Sequence, residues 1–410
     1  MSEDLREMLT GNVAAAWGAR LAEVDYVPSF PITPQTEIVE TLFAWAREGN
    51  LSGRVVHMDS EHSMLAAAGT GSCTGARVFA ATSSQGLLYG FEMLYNIAGW
   101  RAPLVLVNVS RALAAPITLE PDHNDVLSAR DCGFLQIHCE TCQEVLDSVL
   151  MAYRISEDPR VLLPSIVNLD GFYLSFSREP VIIPAVEKVR QFLPSYEPTH
   201  AFFKGGTPVS QGVAALGAYV YSYFRYQVHL AAQNALTVHQ EAAAQFKDIF
   251  GREYGLVDEF MMDDADYVIV MSNSFATQGK SAVRHMREQG KKVGLLRLRV
   301  VRPFPVDAIR SALMGRKGVA VLDQNLAPGK GGIFHAEIAE ALYHGGNRPN
   351  AVLSFIGGIG GKYISGREFD HMLQLLEQHA SDGTDPGPQL LYTERELHQM
   401  ESLFGIAGKE

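Results

Sequence analysis

The stretch RVVHMDSEHSMLAAAGTGSCTGARVFAAT, running from Arg54 to Thr82, decides the fold class. Its two ends, Arg54 to Met58 and Arg77 to Thr82, are short runs rich in Val, Ala and Phe, and read as buried strands. Between them, Glu61 to Gly75 carries a helical pattern. Strand, helix and strand in so short a span make one crossover unit of a parallel sheet. The alternation continues on both sides. Pro103 to Ser110 and Val161 to Leu169 read as further buried strands, and Gln35 to Arg47, Gly90 to Ala98 and Cys142 to Ile155 as helices. Together they predict a doubly wound α/β domain.

After about Pro180 the pattern changes. Pro194 to Gly212 is rich in Pro, Gly and aromatic residues without a period, and reads as a traversing connection. Gly217 to Gly251 reads as largely helical, anchored by Tyr219, Tyr221, Tyr223, Phe224 and Tyr226. A second α/β unit begins near Asp263, with strands over Asp266 to Met271, Lys292 to Val300, Gly318 to Asp323 and Ala351 to Ile356, and a helix over Gly279 to Gly290. The expected division is therefore 1–255 and 256–410. A chain of 410 residues is longer than one core usually serves.

The 34 Lys and Arg against 46 Asp and Glu give a net charge of -12. That balance argues against nucleic acid as a partner, because phosphate binding needs clustered cations. The opening residues MSEDLREML lack the basic and apolar regions of a secretory signal, and the longest apolar runs are strand-sized. Four cysteines cannot form a disulfide framework in a chain of this length. The expectation is a reduced, cytoplasmic protein that neither enters nor spans a membrane. Cys139 and Cys142 form a C-x-x-C pair, but without a second ligand pair they read as structural. No C-x-x-C-x-x-C run exists, so no iron–sulfur cluster is expected in this chain by that route.

Three places could carry chemistry. In Phe30-Pro-Ile-Thr-Pro34, Thr33 reads either as the N-cap of the following helix, with Pro34 at its first position, or as a hydroxyl aimed at a carboxylate. In His57 to His62, Ser60 could cap a helix whose first turn holds Glu61; the Gly and Ala that follow let another backbone or a cofactor come close. Arg111 ends the apolar run Val105 to Ser110, at the edge where open α/β sheets bind ligands. Its guanidinium could hold a substrate carboxylate or pair with Glu120 or the acidic stretch Asp122 to Asp125. That acidic stretch reads as a polar turn before a helix rather than as metal ligands. Gly357 to Gly361 lacks phosphate-loop spacing and reads as a tight turn.

Taken in order, nine segments resemble the alpha subunit of the 2-oxoacid:ferredoxin oxidoreductase family. They are Phe30-Pro-Ile-Thr-Pro34, Asp59-Ser-Glu-His62, Thr82-Ser-Ser-Gln-Gly86, Ser110-Arg-Ala-Leu113, Asp122-His-Asn-Asp125, Arg160-Val-Leu-Leu-Pro164, Asp170-Gly-Phe172, Leu296-Arg-Leu-Arg299 and Arg302-Pro-Phe-Pro305. The resemblance implies a pyrimidine-type thiamine-diphosphate-binding domain followed by a transketolase C-terminal-like domain. It implies that Glu61 hydrogen-bonds the aminopyrimidine ring, favouring the form that takes the thiazolium C2 proton. Thr33 and Arg111 match positions that hold the substrate's carboxylate and carbonyl, and Pro31 and Ile32 fall where the cofactor is contacted. A beta subunit would bind the diphosphate and Mg²⁺. Gamma and ferredoxin-like delta subunits, clusters on those partners, coenzyme A, and ferredoxin or an NAD-reducing flavin subunit would complete the reaction.

Departures from the family pattern bear on substrate. The oxalate-using branch carries Arg where Thr33 stands. Pyruvate-type chains have Asn where Ser110 stands and a bulkier run in place of Ile117 to Pro121. Pyruvate and an aryl 2-oxoacid such as phenylglyoxylate are therefore both expected candidates. The other classes to weigh are an E1-like dehydrogenase component without clusters and a non-catalytic scaffold subunit.

Overall fold

The computed structural model describes residues 3–199, 202–206 and 208–406. Two compact units result. One takes in the chain up to Asp258 together with Ser272–Ser274 and Leu298–Pro305; the other takes in Glu259–Met271, Phe275–Arg297 and the chain from Val306 onward.

The first unit begins with β1 (Leu5–Thr10), α1 (Gly11–Leu21), β2 (Tyr26–Ser29), α2 (Thr36–Arg47), β3 (Arg54–His57), α3 (Glu61–Ser72) and β4 (Phe79–Thr82). It continues with α4 (Gln85–Tyr89), α5 (Phe91–Gly99), β5 (Val105–Ser110), α6 (Asn124–Ser128), β6 (Leu135–His138), α7 (Cys142–Ser156) and β7 (Ser165–Asp170). β8 (Arg178–Ile183), α8 (Val186–Phe192) and the 33-residue α9 (Ala218–Phe250) follow. The second half supplies β9 (Val257–Phe260), β10 (Tyr267–Ser272), α10 (Ala276–Glu288), β11 (Val293–Leu298), β12 (Val300–Arg302), α11 (Val306–Leu313) and β13 (Gly318–Asp323). It ends with α12 (Ile333–Tyr343), β14 (Ala351–Ile356), α13 (Gly366–Asp382), β15 (Gln389–Leu390) and α14 (Glu394–Ile406).

The central sheet of the first unit runs β12-β6-β7-β5-β4. β4, β5, β7 and β6 are parallel, and β12 joins antiparallel. β4, β5, β6 and β7 are buried throughout, as strands covered on both faces must be. The register pairs Ser110 with Asp170, so the carboxyl ends of β5 and β7 are level. β2 and β3 form a separate parallel pair. Arg54 to Met58, expected as a buried strand, is instead half-exposed, because β3 lies outside the central sheet and pairs with β2 alone.

Helix α3 is capped as its sequence suggests: the Ser60 hydroxyl accepts from the Ser63 N–H at 3.1 Å. A Cβ at Gly69 would sit 3.1 Å from Trp100 and closer still to Ile97, so the glycine lets α5 pack against α3. α2 differs from expectation. It starts at Thr36 with Gln35 as its cap residue, so Thr33 is not the N-cap and Pro34 is not the first helical position. The preceding turn is tied by side chains instead. Asn12 Nδ2 donates to the Pro34 carbonyl at 2.8 Å, and Gln35 Nε2 donates to the Phe30 carbonyl at 2.8 Å.

The second unit's sheet runs β15-β14-β13-β10-β11-β9, with β10, β13, β14 and β15 parallel. The run Lys292 to Val300, expected as one strand, breaks at Arg299. Its guanidinium is buried and donates to Glu144 Oε1 at 2.6 Å and Ser148 Oγ at 2.9 Å, which carries the backbone from β11 to β12 and so to the edge of the first unit's sheet. Gly357 to Gly361 is a tight turn, with positive φ at Gly358, Gly360 and Gly361.

Candidate active site

Glu61 opens α3, just past its Ser60 cap, and is 6% exposed. A carboxylate in the first turn is favoured by the helix dipole, so this buried side chain needs no cation to hold it. Among the described residues its oxygens have no hydrogen-bond or ion-pair partner. The nearby Thr82 hydroxyl is also buried without a partner. Both lie over Gly86, where a Cβ would come 2.5 Å from Thr82 Oγ1 and 2.7 Å from Glu61 Oε1. Only glycine leaves room for the carboxylate there.

Gly86 belongs to a sharp elbow between β4 and α4. Ser83 Oγ donates to the Val109 carbonyl at 2.7 Å, and Ser84 takes φ 49° and ψ −119°, a conformation that non-glycine residues avoid. Its N–H donates to Asp125 Oδ2 at 3.1 Å. Asp125 is fully buried and collects four more donors: Ser110 Oγ at 2.6 Å, Val126 N at 2.7 Å, Asn108 Nδ2 at 3.1 Å and Arg111 N at 3.2 Å. Burial outweighs the donors from Ser110, Asn108, Val126 and Arg111 and leaves this carboxyl above the usual carboxylate range. The stretch Asp122 to Asp125 thus ends in a hub, not merely in a surface turn.

Arg111 follows β5 and is 6% exposed. Its Nη1 donates to the Thr33 carbonyl at 2.7 Å and its Nη2 to Gln85 Oε1 at 2.5 Å, while Nε is buried without a partner. Both side-chain partners are neutral. Among the described residues the expected alternative, an ion pair of its guanidinium with Glu120 or the acidic stretch, does not form: Glu120 meets this segment through its carbonyl, which accepts from the Ala112 N–H at 3.1 Å. Burial pushes the guanidinium down, with the Asp125 charge opposing. A positive charge held by neutral oxygens is one poised for an anion.

Thr33 is exposed, and it is its carbonyl that holds Arg111. Pro31 is exposed and Ile32 half-buried on the same loop, where the Ile32 carbonyl accepts from Gln35 N at 2.9 Å. The elbow therefore joins two clusters: Thr33 with Arg111 through Gln85, and Glu61 with Thr82 over the adjacent Gly86. Gln85 and Asp125 were not singled out from sequence. Both sit inside quoted segments, but their partners lie 26 and 41 residues away and leave no local pattern.

Cys139 and Cys142 are buried, no disulfide joins them, and burial pushes the Cys142 thiol up. Burial likewise pushes Cys73 to about 11 and Cys132 to about 12. Among the described residues no group of three or more His, Cys, Asp or Glu side chains is arranged to hold a metal ion. Among them, too, no helix is long and apolar enough to cross a membrane.

Residues 17–244 match the thiamine-diphosphate-binding domain of pyruvate flavodoxin/ferredoxin oxidoreductases, and residues 265–369 match core domain II of pyruvate:ferredoxin oxidoreductase. The chain is 40% identical to pyruvate synthase subunit PorA of Methanothermobacter thermautotrophicus, over 90% of this chain and 95% of the relative. It is 37% identical to ketoisovalerate oxidoreductase subunit VorA of Pyrococcus horikoshii, over 92% of this chain and 95% of the relative. Among solved structures it is similar to the 2-oxoglutarate:ferredoxin oxidoreductase from Magnetococcus marinus, with a TM-score of 0.67 at 16% identity over 90% of this chain and 65% of that one.

Proposed function

Because the chain belongs to the 2-oxoacid:ferredoxin oxidoreductase family as an alpha subunit, we propose that it supplies the proton-handling and substrate-holding half of an active site that oxidatively decarboxylates a 2-oxoacid. The observation that carries this is the pairing, on one elbow, of a buried carboxylate without a partner, Glu61, with a buried guanidinium held by neutral oxygens, Arg111. The residues present fit the pyrimidine ring of thiamine diphosphate: Gly86 gives the Glu61 carboxylate the room it occupies, and among the described residues that carboxylate has no partner of its own. When bound, that cofactor supplies the nucleophilic carbon and the electron sink for losing CO₂.

Glu61 would hydrogen-bond the cofactor's pyrimidine ring from the N-terminus of α3. Arg111 takes the 2-oxoacid carboxylate, and Thr33, exposed and joined to Arg111 through its own carbonyl, offers its hydroxyl to the substrate carbonyl. Pro31 and Ile32, on the same loop, would contact the cofactor. Diphosphate and Mg²⁺ are assigned to a beta subunit, and iron–sulfur clusters to partner subunits, gamma and a ferredoxin-like delta among them. Coenzyme A takes the acyl group, and ferredoxin or an NAD-reducing flavin subunit takes the electrons. Pyruvate is the preferred substrate, because relatives named for pyruvate and for the equally aliphatic ketoisovalerate align over nearly the whole chain. Phenylglyoxylate stands as the aryl competitor.

The test is 2-oxoacid-dependent reduction of a viologen dye by the complex purified through a tag on this chain. Reduction with pyruvate, dependent on thiamine diphosphate and an iron-containing partner, supports the reading. A lone colourless chain inactive with every 2-oxoacid overturns it.

A further inference from the structure

The elbow holds one side chain that the proposed chemistry has not yet used. Arginine only donates hydrogen bonds, so the Gln85 carboxamide must turn its oxygen to Arg111 Nη2, and the Ser84 hydroxyl reaches the same oxygen at 2.7 Å. The carboxamide nitrogen is thereby forced to face the other way. It is buried and, like Arg111 Nε, has no acceptor. Two buried donor groups on adjoining side chains, one of them cationic, are costly unless an acceptor with several lone pairs joins them. The backbone beneath is strained at Ser84 and held in that shape by the Asp125 carboxylate. Strain kept in place by so many bonds marks a conformation with a task. The next residue, Gly86, lies under Glu61.

Resting on the proposed function above, we propose that Gln85 is a further substrate-contacting residue, whose Nε2 donates to the carboxylate of the 2-oxoacid beside Arg111. Gln85 then serves both partners of one ion pair: its oxygen fixes the guanidinium and its nitrogen fixes the anion. This makes it a recognition residue for the carboxylate end rather than for the side chain of the substrate.

Two variants separate this from a purely structural role. Gln85→Glu keeps the size of the side chain and the acceptor for Arg111, and replaces the donor with a negative oxygen. Gln85→Met removes both hydrogen bonds. In the assembled, thiamine-diphosphate-loaded complex, the KM for pyruvate and the dissociation constant of oxamate, a non-reacting isostere, are measured by turnover and calorimetry. Both constants rise by roughly tenfold in Gln85→Met, as loss of a hydrogen bond to a charged group requires, and further in Gln85→Glu, with kcat little changed. A structural role predicts the opposite order, because Gln85→Glu preserves the bond to Arg111. Oxamate affinity unchanged in Gln85→Glu, or a loss of cofactor affinity in its place, overturns the proposal. A Glu61→Gln variant run in parallel keeps the two readings apart: if it is inert while oxamate ignores Gln85, only this inference fails. If it turns over pyruvate normally while oxamate binding follows Gln85, only the role of Glu61 fails.

Discussion

Gly86 has no side chain, and the space this leaves is occupied by the Glu61 carboxylate and the Thr82 hydroxyl. Gly86→Ala puts a methyl within 2.7 Å of Glu61 Oε1, so the carboxylate must swing away while the backbone, whose φ alanine adopts freely, stays as it is. Displacement of a reacting group by about 1 Å costs roughly 100-fold in rate. Because the methyl also meets the buried Thr82 Oγ1 at 2.5 Å, the expected result is a loss of that order in kcat/KM with a lowered melting temperature, checked by viologen reduction and calorimetry. Glu61 and Arg111 were legible from sequence because each sits at a boundary, one at a helix start and the other at a strand end. Gln85 and Asp125 were not, because their roles are fixed by contacts between segments that no periodicity records.

The elements beneath the site are joined by a second buried cluster at the end of β7. His123 Nε2 meets Asp170 Oδ1 at 2.8 Å, and Asp170 Oδ2 accepts from Ser274 N at 3.0 Å and Ser274 Oγ at 2.5 Å. Burial alone would push His123 down, but the Asp170 charge and hydrogen bond outweigh it and hold the imidazole above its ordinary value. Burial would raise Asp170, and His123 and Ser274 hold it below the usual carboxylate range. The signs give a window. The His123 contribution is complete below about pH 6.5 and is lost as pH rises through its raised value; the Asp170 contribution is complete above about pH 3.9 and is lost as pH falls through its lowered one. Melting temperature is therefore expected to fall on the alkaline side of neutrality, and His123→Gln to remove that fall when calorimetry is repeated from pH 5 to 9. Asp170→Asn leaves a buried imidazolium unmatched and should cost about 3–5 kcal/mol in denaturant unfolding. Elements with a strong local signal, the helical pattern of α7 and the continuous apolar runs of β13 and β14, could be read from the residues. β1 and β8 could not: the sequence LREMLT has no apolar face, since β1 is exposed along most of its length and is held by its antiparallel partner.

At the scale of the whole chain, the two units are not consecutive stretches of sequence. Ser272–Ser274 and Leu298–Pro305 come from the second half yet complete the first unit. They supply the half-buried Ser274 to Asp170, and the buried Asn273 and Arg299 to His138 and Glu144. A fragment ending at Asp258 would bury Glu144 and Asp170 without these partners, so it should be recovered without a cooperative unfolding transition where the full chain has one. No sequence pattern announced this return, because Arg299 looks like one more residue of an apolar strand until its partner Glu144 is known. The account turns on Glu61, and its most direct test is the exchange rate of the thiamine diphosphate C2 proton with deuterium, followed by quenched-flow NMR in the assembled complex with Glu61 or Glu61→Gln. The account predicts exchange slowed by about 10²- to 10⁴-fold in the variant with the cofactor still bound. Exchange at the wild-type rate would contradict it.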